Sequence, residues 1–140
     1  MEDPSSQALT IRRVDFYDAI ALYAWRIDKE TSRFTVDRDR LSWQAHVEWF
    51  AENIKNPDWY TGLVDGRVIG AMRIDPDAAG KLWVSIVLDA EARGRGFGTE
   101  MLRRLKSPHN APLYARIHNL NTPSLKAFEK AGYIQTETSG

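Results

Sequence analysis

Between a run of β-forming residues and a helix-forming stretch lies Arg93-Gly94-Arg95-Gly96-Phe97-Gly98-Thr99, where residue types and spacing point most directly to chemistry. Glycine at every second position frees the backbone for positive φ and removes the Cβ atoms that would keep an anion away. Amide N–H groups can then converge, and a helix starting near Gly98 adds its unpaired N–H groups and the positive end of its dipole. That dipole favours a bound anion by roughly 0.3–1 kcal/mol when exposed and up to about 2 kcal/mol when partly buried. With Arg93 and Arg95 adding charge, the ligand this chemistry suits is a diphosphate. A dinucleotide fingerprint would need glycine where Thr99 stands, and a P-loop would need a Gly-Lys-Ser/Thr ending. The remaining alternative is a glycine-rich turn that only joins strand to helix.

The elements that position this loop follow from periodicity. Leu9 to Val14 alternates apolar and basic residues and predicts a strand. Ile20, Leu22, Tyr23 and Trp25 recur at helical spacing with Asp15 as a cap, while the charged Arg26 to Leu41 stretch reads as an irregular connection. Ser42 is the expected N-cap of a second helix with an apolar stripe of Trp43, Val47, Phe50 and Ile54, ended by Asn56-Pro57. Trp59 to Val64 and Val68 to Ile74 flank Asp65-Gly66 as a hairpin. Lys81 to Asp89 predicts a central strand buried on both faces. Beyond the loop, Gly98 to Leu105 predicts a helix, Pro112 to Ile117 a strand, Ser124 to Ala131 a helix stopped by Gly132, and Tyr133 to Thr136 a last strand. The order is β-α-α-β-β-β-α-β-α-β, an α+β fold whose mostly antiparallel sheet acquires a βαβ unit late in the chain.

Composition narrows the classes. At 140 residues one domain is expected over 1–140, with residues 1–7 as a flexible lead. Nineteen basic residues balance nineteen acidic ones, which announces no nucleic-acid face. The absence of cysteine excludes disulfides, thiolate metal sites and an acyl-cysteine intermediate. The first residues carry neither a basic start nor an apolar run, so a cytoplasmic protein without a membrane partner is the expectation.

Arg93-x-x-Gly96-x-Gly98 after Val84 to Leu88 resembles the coenzyme A pyrophosphate loop of the GCN5-related N-acetyltransferase (GNAT) superfamily. Asn121-Thr-Pro-Ser124-Leu-Lys-Ala-Phe128-Glu-Lys-Ala-Gly132-Tyr133 is similar to that superfamily's second signature. The resemblance covers nearly the whole chain. It implies a GNAT-like sheet with helices on both faces and acetyl-CoA as co-substrate, with no metal. It also implies direct transfer to the primary amine of a small acceptor. Coenzyme contacts are implied for Ile86, Val87, Leu88, Arg93, Gly94, Arg95, Gly96, Phe97, Gly98, Thr99, Asn121, Ser124 and Phe128. Trp25-Arg26-x-Asp28, Arg33, Ser85 and His46-x-x-Trp49-Phe50 resemble the branch acting on nucleotide-linked amino sugars. The same features resemble the protein N-terminal acetyltransferases. Arg26, Arg33, His46 and Ser85 are then the expected acceptor contacts.

Direct transfer needs a neutral amine, a polarised carbonyl and a proton for the departing thiolate. An amine with pKa near about 8 needs only a weak base, which a histidine supplies. His46 is the expected base, against the alternative of a hydrogen-bonded structural histidine. The family's tyrosine acid is replaced by Phe128, so the acid is missing, supplied by Tyr114, Tyr133, Tyr60 or water, or unnecessary; Tyr133 is the side chain expected to supply it. The chain stops at Gly140, close to its last predicted strand, so an open acceptor site or completion by a second subunit in a homodimer is expected. The rival reading is an acyl-CoA-binding module without catalysis.

Overall fold

The computed structural model describes residues 9–31, 42–118 and 121–136. Five strands, β1 (Leu9–Arg13), β2 (Trp59–Val64), β3 (Arg67–Pro76), β4 (Leu82–Leu88) and β5 (Leu113–Tyr114), form one sheet in chain order. Every pairing is antiparallel except the last, β4 with β5, which is parallel. The crossover between those two carries helix α3 (Phe97–Arg104). Helices α1 (Ala19–Thr31) and α2 (Trp43–Asn53) precede β2, and α4 (Thr122–Lys130) follows β5. Among the described residues no helix is long and apolar enough to cross a membrane.

The expected α+β order holds through the last helix, α4, with four corrections. The helix begun at Ala19 runs on through Arg26 to Thr31 instead of giving way to a loop. In α2 the buried face is His46 and Phe50, flanked by half-buried Trp49, while Trp43 and Val47 are 46% and 36% exposed. The expected stripe was thus rotated because a histidine occupies its centre. The central strand is not covered on both faces: Ser85 is exposed, and β4 lies next to the short edge strand β5. Residues 133–136 form no strand; with β5 only two residues long there is little edge to pair with.

The two faces are packed by different helices. Val14, Leu22, Phe50, Trp59 and Ala71 join the sheet to α1 and α2. Leu9, Ile69, Met72, Phe97 and Met101 join it to α3. The close approach of α3 rests on two glycines paired directly across β2 and β3, Gly62 and Gly70. A Cβ on Gly62 would stand 2.8 Å from the Met101 Sδ, and one on Gly70 2.6 Å from a Leu88 methyl carbon. Met101, fully buried, therefore seats on a floor without side chains.

Asp18 fixes the other end. Its carboxylate is 1% exposed and accepts from Arg12 at 2.8 and 3.0 Å, from the Asp15 N–H at 3.0 Å and from the Thr61 hydroxyl at 2.9 Å. Burial alone would raise its pKa, but the Arg12 bond and the others hold it below the usual carboxylate range. This knot ties the turn before α1 to β1 and β2.

Candidate functional site

Asp89, immediately after β4, begins the loop. One oxygen accepts from the Glu91 N–H at 2.9 Å and the other from Trp25 Nε1 at 3.3 Å, which fastens α1 to the loop's first residue. The backbone then passes through Gly94 at φ +76° and Gly96 at φ +87°, values that L side chains rarely adopt. Gly96 is the N-cap of α3 and offers no side chain to cap it. The first helical bond is Glu100 N–H to Gly96 O, 3.1 Å, so the N–H groups of Phe97, Gly98 and Thr99 have no acceptor within the helix. Gly98 is buried, and a Cβ there would lie 3.2 Å from Leu88 Cδ1. Arg93 and Arg95 are exposed, and neither has an ion-pair partner among the described residues. Free N–H groups, left-handed glycines and two unpaired guanidiniums form a cradle for an anion, as the loop's composition implies.

Beside this cradle the sheet is open. Parallel pairing of β4 with β5 ends at Trp83 and Tyr114. The Asp89 N–H donates to Ile69 O at 2.9 Å, continuing the β3–β4 register. Since backbone groups alternate in direction along a strand, those of Val87 and Ser85 point to β3, and those of Ile86 and Leu88 point to the unpaired edge. Asn121 is the N-cap of α4, its Oδ1 accepting from the Ser124 N–H at 3.3 Å. At the other end of that helix, Arg103 Nη2 donates to Lys130 O at 3.1 Å, which aligns the C-terminal ends of α3 and α4. Asn121 and Ser124 thereby lie toward the same end as the glycine loop.

The family model for the acetyltransferase (GNAT) domain matches residues 8–134. The chain belongs to this family. Its fold is that of solved GNAT-type structures. One is yncA from Salmonella typhimurium, solved with its cofactor acetyl-CoA, at TM-score 0.74 and 18% identity over 94% of this chain and 82% of that one. Another is AAC(6')-Ib in complex with ribostamycin and coenzyme A, at TM-score 0.74 and 18% identity over 95% of this chain and 87% of that one. Among curated proteins, the uncharacterized protein MJ1062 of Methanocaldococcus jannaschii is 26% identical over 138 residues, covering 92% of this chain. The chain spans 28% of that relative's length. None of these matches singles out the branch acting on nucleotide-linked amino sugars.

Within this GNAT domain the expected side chains fare unequally. His46 is fully buried, its Nε2–H donating to Ala19 O at 2.9 Å while Nδ1 has no partner among the described residues. Burial pushes its pKa below the ordinary histidine value, and its ring stacks on Trp49 at 5.6 Å. It joins α1 to α2, so the structural alternative describes it and the expectation of an open base at this position is corrected. Phe97 is 2% exposed and offers the loop only its N–H. Phe128 is 5% exposed and meets the Tyr133 ring edge-on at 4.9 Å. Tyr133 is half-buried, and burial raises its pKa. Arg33 lies outside the described residues. Arg26 packs its guanidinium over Trp49 at 4.6 Å. Two contributors went unnoticed in the sequence. Asp89 is signalled only by its place after a strand. Arg73 is signalled by facing Ser85 across the β3–β4 ladder.

Proposed function

We propose that this chain is an acetyl-CoA-dependent N-acetyltransferase that moves an acetyl group to the primary amine of a small acceptor within a ternary complex. The observation that carries the reading is the uncapped start of α3 beside the unpaired edge of β4. Family membership supports it further. When bound, acetyl-CoA supplies an activated thioester. The Phe97, Gly98 and Thr99 N–H groups with Arg93 and Arg95 hold the diphosphate. The backbone of Ile86 and Leu88 orients the pantetheine arm and donates to the oxygen on which charge develops. Asn121 Nδ2 and Ser124 border the same groove. With His46 enclosed, the amine reaches the site neutral or sheds its proton through water, as a pKa near about 8 permits. Tyr133, protonated at neutral pH like any tyrosine, is the donor to the departing thiolate. The acceptor meets the sheet face carrying Ser85, and a nucleotide-linked amino sugar is the finer reading from Trp25-Arg26 and His46-x-x-Trp49.

Calorimetric titration with coenzyme A tests the coenzyme half. Micromolar binding is expected, lost on replacing Gly96 and Gly98 together by valine. Thiol release from acetyl-CoA across a panel of amines tests the chemistry. No binding overturns the proposal, and binding without turnover on any amine favours the acyl-CoA-binding module.

A further inference from the structure

We infer that Arg26 anchors an oxyanion carried by the acceptor, so that the amine acetylated here bears a phosphate-type group. The placement of that group on an acceptor rests on the acetyltransfer reading; the anion site itself does not.

Two guanidiniums approach the Trp49 ring, Arg26 at 4.6 Å and Arg73 at 6.0 Å. Arg73 has partners: it donates from Nε to Asp75 Oδ2 at 2.8 Å and from Nη1 to Asn53 Oδ1 at 3.0 Å, and it lies 5.3 Å from the Trp59 ring. Arg26 differs. Among the described residues its buried Nη1 has no hydrogen-bond partner and Arg26 has no ion pair. The cation–π contact with Trp49 does not give the buried Nη1 an acceptor. Arginine stays charged on burial, and its planar fork suits an oxyanion better than the point charge of a lysine. A buried charged donor without a partner is costly, and the geometry therefore suits a ligand that arrives.

Position and field agree. Arg73 pairs across the ladder with Ser85, so the Arg26–Trp49–Arg73 stack lies over the sheet face that carries Ser85 and Val87, beside the open edge of β4. The carboxylates bordering this face already have partners. Asp75 serves Arg73 and Asn56, Asp77 accepts from Trp83 Nε1 at 2.9 Å, and Asp89 holds Trp25. Cations also border it: Arg116 over Trp83 at 4.5 Å and Lys81 over Tyr114 at 4.2 Å. A positive field over aromatic rings repels a polycationic amine such as ribostamycin and attracts an anionic one.

The anion site is read without turnover by titrating pyrophosphate into the Gly96→Val/Gly98→Val variant, whose loop no longer competes for it, and into wild-type protein saturated with coenzyme A. Binding is expected in both. Adding Arg26→Met weakens it at least tenfold, and Arg26→Lys, which keeps charge and most of the packing, weakens it less. Equal affinity with and without Arg26, or no binding in either background, overturns the inference. In turnover, glucosamine 6-phosphate is expected to exceed glucosamine tenfold or more in kcat/KM. Arg26→Met collapses that ratio through KM more than kcat. A preference for ribostamycin, or a ratio untouched by Arg26→Met, overturns it as well. Failure of coenzyme A to bind defeats the acetyltransfer reading alone, because pyrophosphate binding at Arg26 is measured independently.

Discussion

The start of α1 and the start of α3 solve the same problem in opposite ways. Before α1, Asp15 accepts from the Tyr17 N–H and Asp18 returns a bond to the Asp15 N–H, and the Asp18 carboxylate also gathers Arg12 and Thr61. Before α3 stands Gly96, with no side chain and a left-handed backbone, and three N–H groups are left without acceptors in the helix. Satisfied polar groups make a frame that holds without ligand, whereas unsatisfied ones keep free energy available for binding. The proposed coenzyme site uses the second kind of terminus, and the first kind belongs to the frame beneath it.

The largest test of this contrast is removal of the knot. Asp18→Ala removes the acceptor of the buried Thr61 hydroxyl and the bidentate partner of Arg12, which keeps Asp15 Oδ2 at 3.3 Å and Arg13 O at 3.1 Å; loss of one partner of a buried pair costs about 3–5 kcal/mol. Arg12 is 37% exposed and regains water, so about 3 kcal/mol is expected in urea unfolding. Coenzyme A affinity, measured where the variant stays folded, should change less than threefold.

Next in size is the reverse operation at α3. Gly96→Asp supplies the missing cap, worth about 1 kcal/mol, against a similar strain from φ +87°. Stability should therefore stay within about 1 kcal/mol of wild type. The new carboxylate takes the free N–H groups and repels a diphosphate, so coenzyme A affinity should fall about 100-fold, or about 2.7 kcal/mol. Unchanged affinity would break the link between the unsatisfied terminus and function.

How far each terminus could be read from sequence follows from what each depends on. The glycine loop, the Ser42 cap and the Asp65-Gly66 turn are local, and the structure has them where the residues indicate, with Asp65 at φ 51° and Gly66 at φ 78°. The knot at Asp18 was invisible because its partners lie six and forty-three residues away. The buried face of α2 was misread because His46 counts as polar until Ala19 O and the surrounding rings enclose it. Arg26 was placed in a loop because its charged neighbours hide the α1 periodicity. Tyr133 to Thr136 looked like a strand by residue type, yet a strand needs a neighbour. Instead Gly132 at φ 103° closes α4, with Tyr133 N–H reaching Phe128 O at 2.9 Å.

That closure sets up a smaller test on the open side. It packs the Tyr133 ring against Phe128 and leaves the hydroxyl as the proposed proton donor. Tyr133→Phe keeps the edge-on contact and should leave stability and coenzyme A affinity within twofold. Its kcat should fall about tenfold, which is about 1.4 kcal/mol in the barrier. An undiminished kcat would hand the proton transfer to water.

The smallest expected effect returns to the closed side. His46 has a pKa lowered first by burial and further by the Arg26 charge, with the Ala19 carbonyl opposing. In the unfolded chain it takes up a proton near the ordinary value of about 6.5, while the folded state resists. The unfolded state then binds more protons, and stability falls as pH drops below about 6.5 toward the folded pKa. Above that range its contribution is complete and flat. Urea unfolding between pH 7.5 and 5.5 should show this slope in wild type, and it should flatten in His46→Gln, whose amide can still donate to Ala19 O. A kcat/KM profile that keeps its shape in His46→Gln, while the stability slope disappears, would separate frame from chemistry at this residue. A profile that loses a limb near pH 6.5 would instead return His46 to the reacting amine.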